Sequence, residues 1–192
     1  MRGIKVGMAV AAAAITMWTT VAQADVLIEV DLTTPDTIVV SATTGLSAID
    51  ASGSNFTGFL LADFYNGGTE TPSTASDFGD LTSFENPSDG TPSIFRGSGT
   101  PADSGLNFWS FSTDATVTFT AGSQAFTGSA TWSLDPLVYA DMVAGNLSGD
   151  LLFPADTSDD PGLTLGTWIV VPEPSSIAIL SLGAIGLIRR RR

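Results

Sequence analysis

Histidine and cysteine are absent from all 192 residues. Between residues 25 and 171 lysine is absent too, and Arg96 is the one basic side chain. These absences remove Ser-His-Asp and Cys-His nucleophile systems, Schiff-base lysines and imidazole zinc sites. No Gly-rich loop ends in Lys-Ser or Lys-Thr, so a P-loop phosphate cradle is missing as well. Carboxylates and tryptophans are what remains for binding or catalysis.

Three carboxylate arrangements deserve weighing. Asp103-Ser104-Gly105 has the short motif of an aspartic protease, but that chemistry needs two such aspartates sharing a site, and the sequence holds no second copy, so only a dimer could supply it. Asp-Ser-Gly is also an ordinary turn. A glycosidase needs a Glu/Asp pair across a sugar cleft; the only glutamates between residues 25 and 171 are Glu29, Glu70 and Glu85, and nothing pairs them. Asp156, Asp159 and Asp160, just before Pro161-Gly162, put hard oxygen ligands in a tight loop, which suits Ca²⁺. Their spacing departs from the Asp-x-Asp-x-Asp-Gly calcium loop, and turn chemistry explains them equally well. Among the tryptophans, Trp132 lies in the apolar register of its segment and reads as core. Trp168 lies opposite the apolar positions of its own segment, so it is the better exposed platform for stacking on a sugar ring, with Trp109 a second. The expectation is a protein that is not an enzyme and needs no cofactor, calcium being the one metal its residues suggest.

Charge is strongly segregated. Residues 25–171 hold nineteen acids against one arginine, a formal charge of −18, whereas the whole chain carries −13. A body of that sign does not attract nucleic acid or an anionic membrane surface. Without cysteine, an exported domain has no disulfide and depends on its core or on a bound ion. Eleven Phe in the chain argue for such a core and against general disorder.

The elements that would carry these residues read as short strands. Val26, Ile28, Val30 and Leu32 alternate with Leu27, Glu29 and Asp31, a strand with one buried face. A second strand spans Thr37 to Thr43, a polar loop Asp50 to Asn55, and a third apolar segment Phe56 to Tyr65, kinked at Gly58. Residues 66–105 read as long surface loops, with short strands at Leu81 to Phe84 and Ser93 to Arg96. After a strand at Leu106 to Phe111, Ala115 to Ala121 and Phe126 to Leu134 alternate cleanly on either side of Gly122-Ser123, which predicts an antiparallel hairpin with a wet Thr/Ser face. Asp135-Pro136 predicts an N-cap followed by Pro at the first helical position, giving one short helix from Pro136 to Val143 that stops at Gly145. Strands then follow at Leu147 to Phe153 and Leu163 to Val171. The fold class is all-β: an antiparallel β-sandwich, or a jelly roll, with at most one short helix.

Both chain ends read as address signals. Met1 to Ala24 has a positive start at Arg2 and Lys5, an apolar stretch from Met8 to Ile15, and the small-x-small site Ala22-Gln23-Ala24. That is a secretory signal peptide, read by the Sec machinery and signal peptidase, giving a mature start at Asp25. At the other end, Val171-Pro172-Glu173-Pro174-Ser175-Ser176 leads into twelve apolar residues, Ile177 to Ile188, and then Arg189, Arg190, Arg191 and Arg192. As a helix the apolar run spans about 18 Å against roughly 30 Å of hydrocarbon, a marginal transmembrane span. The arginines would stay cytoplasmic. The expected organisation is a signal peptide at 1–24, a β domain at 25–171, and a C-terminal signal at 172–192.

This tail resembles the PEP-CTERM sorting signal, over Val171 to Arg192 only, about a ninth of the chain. The resemblance implies an exopolysaccharide-producing bacterium with a Gram-negative-type envelope. It implies export, an inner-membrane intermediate held by the helix and arginines, and recognition of Pro172, Glu173 and Pro174 by an exosortase, an integral-membrane cysteine transpeptidase. The destination would be the cell surface or extracellular matrix, with exopolysaccharide as a partner. The family shares the tail and not the body, so nothing about residues 25–170 follows from it.

Overall fold

The computed structural model describes residues 24–54, 58–74, 77–87, 92–96, 104–109, 116–155 and 162–171. Fourteen strands and one helix lie among them. Ten strands form one sheet in the order β5-β8-β9-β4-β13-β14-β1-β2-β12-β6. These are β1 (Val26–Asp31), β2 (Thr37–Ala42), β4 (Phe59–Leu61), β5 (Ser73–Thr74), β6 (Phe78–Gly79), β8 (Ser93–Arg96), β9 (Leu106–Trp109), β12 (Ser129–Ser133), β13 (Ser148–Phe153) and β14 (Leu163–Val170). The remaining four strands form two short ladders, β3 (Ala51–Ser54) with β10 (Thr116–Phe119) and β7 (Thr82–Ser83) with β11 (Phe126–Thr127).

The β class is as expected. The arrangement is one mixed sheet, because β1 and β14 run parallel at its centre while the other pairs are antiparallel. Its shape follows from ring contacts. β9 and β12 stand six strand positions apart, about 29 Å in a flat sheet. Yet the Phe108 and Trp132 rings are 5.5 Å apart, and Phe59 of β4 meets Phe126 at 4.8 Å. The sheet therefore curls until two parts of its own inner face meet. Phe59 and Phe108 stack at 4.7 Å, while Phe119 bridges Phe126 at 5.2 Å and Phe153 at 4.9 Å. In a chain without disulfides this run of rings adds to the aliphatic core that holds the sheet together.

The helix α1 (Pro136–Val143) matches its sequence signature in full. Asp135 is extended and its carboxylate accepts the Leu137 N–H, Pro136 opens the helix, and the Gly145 N–H returns to Met142 O. Val138 and Met142 face the core. Tyr139 donates its hydroxyl to Leu32 O at 2.6 Å, tying the helix to the end of β1.

Two expectations about pairing are corrected. The hairpin of residues 115–121 with 126–134 does not form. β10 pairs with β3, so the stretch read as a polar loop at Asp50 to Asn55 is a strand over Ala51–Ser54. β12 pairs with β2 and β6. The turn between the two halves gives its backbone bonds to the 45–47 segment instead: Ser47 N–H to Ser123 O, Gly122 N–H to Ser47 O and Ala125 N–H to Gly45 O. Gly128, at φ +81, then separates β11 from β12. The alternation itself is right, since Val117, Phe119, Ala130 and Trp132 are all buried.

The second correction concerns β14. Leu151 pairs with Gly166 but Leu152 with Thr164, so Leu165 is an extra residue in the ladder. On the other side Val26 pairs with Thr167 and Ile28 with Trp168, so Leu27 is extra in β1. Bulges of this kind shift the phase of a strand. Both Leu27 and Ile28 are buried, and beyond Gly166 the inward position is Trp168.

Phe108 links β9 to both Phe59 and Trp132, so Phe108→Ala is expected to cost about 3–5 kcal/mol, whereas Thr116→Ala on the exposed side of β10 stays within about 0.5 kcal/mol. Urea denaturation of both variants checks the difference.

Candidate functional site

Arg96 is the only cation of the acidic body, and it is buried. It alternates with Ile94 on the inner face of β8. Its Nη2 donates to the carbonyls of Gly67 at 3.0 Å and Gly68 at 3.1 Å, and its Nη1 to Glu70 O at 3.3 Å. Asp141 of α1 stands 3.7 Å from Nη1 and accepts the Glu70 N–H at 3.0 Å. The guanidinium carbon lies 3.9 Å from the centre of the Tyr65 ring. One side chain thus fastens β8, the 65–70 segment and the helix together. A buried cation is tolerated where carbonyls and a carboxylate surround it.

The Tyr65 hydroxyl is buried and has no hydrogen-bond partner among the described residues. Burial pushes its phenol well above the ordinary value of 10.0; Arg96 pulls it down and Asp141 adds to the rise. Neither Arg96, whose guanidinium bonds to chain carbonyls, nor Tyr65, protonated far into alkaline pH, is set up as a nucleophile or base. The cluster is an internal clamp. Its sequence signal was available: a lone arginine in the apolar register of a strand, in a body otherwise acidic.

The sequence-derived sites fare differently. Trp168 is corrected: it is fully buried, its ring 5.1 Å from Phe64 and its Nε1 donating to Ala62 O at 3.2 Å. The bulge at Leu165 turns it inward. Gly149 makes room for it, because a Cβ there would lie 2.8 Å from Trp168 Nε1. It offers no stacking face. Trp109 ends β9. Asp156, Asp159 and Asp160 lie outside the described residues. Among the described residues no group of three or more Asp or Glu is placed to hold a metal ion. Glu29 is exposed on β1, Glu85 accepts the Thr120 hydroxyl at 3.1 Å, and Glu70 serves the clamp through its main chain, so the three glutamates stand on separate elements. Ser104 donates its hydroxyl to Asp63 Oδ1 at 3.1 Å.

At the chain's two ends, Ala22, Pro172, Glu173, Pro174 and Arg189 to Arg192 lie outside the described residues, while Ala24 and Asp25 lie within them. Asp25 is already part of the fold. Its carboxylate accepts the Leu46 N–H at 2.9 Å and its carbonyl accepts the Thr167 N–H at 2.9 Å. The C-terminal exit is held from both sides: Val170 N–H donates to Leu147 O at 2.7 Å and Val171 N–H to Val30 O at 2.8 Å. Proline at 172 has no N–H with which to continue the ladder. Val171, the last described residue, is thus bonded near the centre of the sheet and directly precedes Pro172. Among the described residues no helix is long and apolar enough to cross a membrane.

The chain matches the family model of the PEP-CTERM protein-sorting motif over residues 170–192. The match begins inside the fold, at the last residue of β14. No curated protein and no solved structure matches the chain. The motif marks the chain as an exosortase substrate, exported and sorted to the cell surface through its C-terminal signal.

Tyr65→Phe gives a pH test of the clamp. A folded-state phenol raised above 10.0 contributes stability that is complete below pH 10 and lost as pH climbs toward the folded value. The body has no Lys or Cys to titrate in that range. Wild type is expected to lose up to about 1.4 kcal/mol per pH unit above pH 10 relative to Tyr65→Phe, with the two within about 0.5 kcal/mol at pH 7 because no hydrogen bond is removed. Denaturation midpoints from pH 7 to 11.5 check it.

Proposed function

We propose that the body is a non-enzymatic structural or adhesive component of the cell surface or extracellular matrix, working among exopolysaccharide. The observation that carries this reading is the sorting motif itself, joined without a spacer to a domain that lacks His, Cys and Lys. An exposed hydroxyl row on the β3–β10 ladder supports it. Thr116, Thr118 and Thr120 point outward, with Ser52 exposed opposite Thr118. The hydroxyls suit hydrogen bonding to hydroxyl-rich polymers, with the Glu85 carboxylate held by Thr120 at one end of the row.

In this reading the signal peptide is removed before Asp25 and the chain pauses in the inner membrane. Its apolar helix is embedded there and Arg189 to Arg192 are held in the cytoplasm. Pro172, Glu173 and Pro174 are then recognised by the exosortase. The second reading is a binding module for calcium or a specific carbohydrate. It rests on Asp156, Asp159 and Asp160 for the ion and on Trp109 for the sugar, Trp168 having been withdrawn by its burial.

Two experiments test the proposal. A chain carrying Pro172→Ala, Glu173→Ala and Pro174→Ala is expected to accumulate in the membrane fraction of its host while wild type reaches the surface; equal distribution of the two contradicts the sorting role of these residues. The purified body is expected to co-sediment with the host's exopolysaccharide without added calcium. Co-sedimentation only with calcium favours the binding module, and none in either condition removes the adhesive role.

A further inference from the structure

Helix α1 is apolar on both faces. Val138 and Met142 point into the core. The opposite face presents Pro136, Leu137, Ala140, Val143 and Ala144, all exposed, and Leu147 follows just beyond the helix. Leu137 is 64% exposed, Val143 51% and Leu147 70%. The helix's one charged residue, Asp141, turns sideways to Arg96 and the Glu70 N–H, and the N-cap Asp135 is engaged by the Leu137 N–H. Helices hydrophobic all round belong in a core or against lipid. On a body of charge −18, an uncharged apolar face of this kind calls for a cover.

Its position says what the cover is. α1 joins the end of β12 to the start of β13, and between those strands in the sheet lie β14, β1 and β2. β14 and β1 run parallel toward that same end. The helix, about 12 Å long, therefore lies across the end of the curled sheet from which the chain leaves. Leu147 holds Val170, and Val30 holds Val171, the last described residue. Only Pro172 to Ser176 separate Val171 from the apolar run at Ile177, a tether of at most about 22 Å.

We propose that the outward face of α1, with Leu147, rests on the bilayer that holds the chain's own C-terminal helix before processing. The proposal depends on the membrane-held intermediate described above. The tether makes a weak apolar contact effectively intramolecular, and the absence of charge on the face lets it enter the interfacial zone of uncharged lipid. The consequence for sorting is orientation: the Pro172–Pro174 segment would be presented at a fixed height and angle, not on a freely tumbling domain.

The chain has no cysteine, so single labels are available. Leu137→Cys, Val143→Cys and, as control at the opposite end beside Gly122, Ala121→Cys are made in the tail-bearing chain, residues 25–192. Each is labelled with an environment-sensitive fluorophore and reconstituted into phosphatidylcholine vesicles. Nitroxide-bearing lipids quenching at shallow acyl depth are expected to remove roughly half the emission at 137 and 143 and to leave 121 unchanged. Vesicle flotation, run in parallel, separates the failures. Protein that floats with emission at 137 and 143 unquenched overturns lipid contact while keeping the anchor. A blue-shifted but unquenched label means a second copy covers the face and also overturns it. Protein that does not float overturns the anchored intermediate and this contact with it.

Discussion

The interaction on which the structure depends is the parallel pairing of the first strand with the last. β14 lies between β13 and β1, near the middle of the ten-stranded order. Val30 N-terminal in the chain and Val171 at the edge of the sorting motif share a hydrogen bond. The loop this pairing closes contains nearly the whole domain, so its entropy must be offset by what the rest of the sheet contributes. It also means that the domain is incomplete until its last strand is in place. The last strand also runs directly into the sorting motif, whose Pro172 follows the bonded Val171.

Aromatic contacts make that closure worthwhile. Phe108, stacked on Phe59 of the adjacent strand, meets Trp132 from the far part of the sheet, which converts an open ladder into a curled one with a continuous interior. The clamp around Arg96 works differently. It does not add apolar area; it satisfies the carbonyls of the Gly67-Gly68 turn and seats α1 through Asp141. The single cation is spent inside, leaving an outer surface acidic by composition, with the exposed side of the helix as its uncharged exception.

What the sequence made legible was local. The Asp135-Pro136 cap specified α1 to the residue, because capping is chemistry between neighbours. Inward and outward positions of β10 and β12 were legible from their alternation. Partner choice was not: Gly122-Ser123 reads as a hairpin turn, and nothing within the strands says that the 45–47 segment takes its backbone bonds. Trp168 was misplaced for a related reason. A bulge is set by two neighbouring strands together, and the phase counted from Leu163 and Leu165 does not survive it. At the site, Pro172 to Pro174 were legible as a motif, while their attachment to a central strand was a fact of topology that no local pattern carries.

The most direct measurement is the intact mass of the protein recovered from the surface of its native host. A chain that begins at Asp25 and lacks Arg189 to Arg192 is the expected result, since both signals would then have been read and the tail removed from a finished domain. A surface chain whose mass still includes the four terminal arginines would contradict it, and the tail would be a plain anchor.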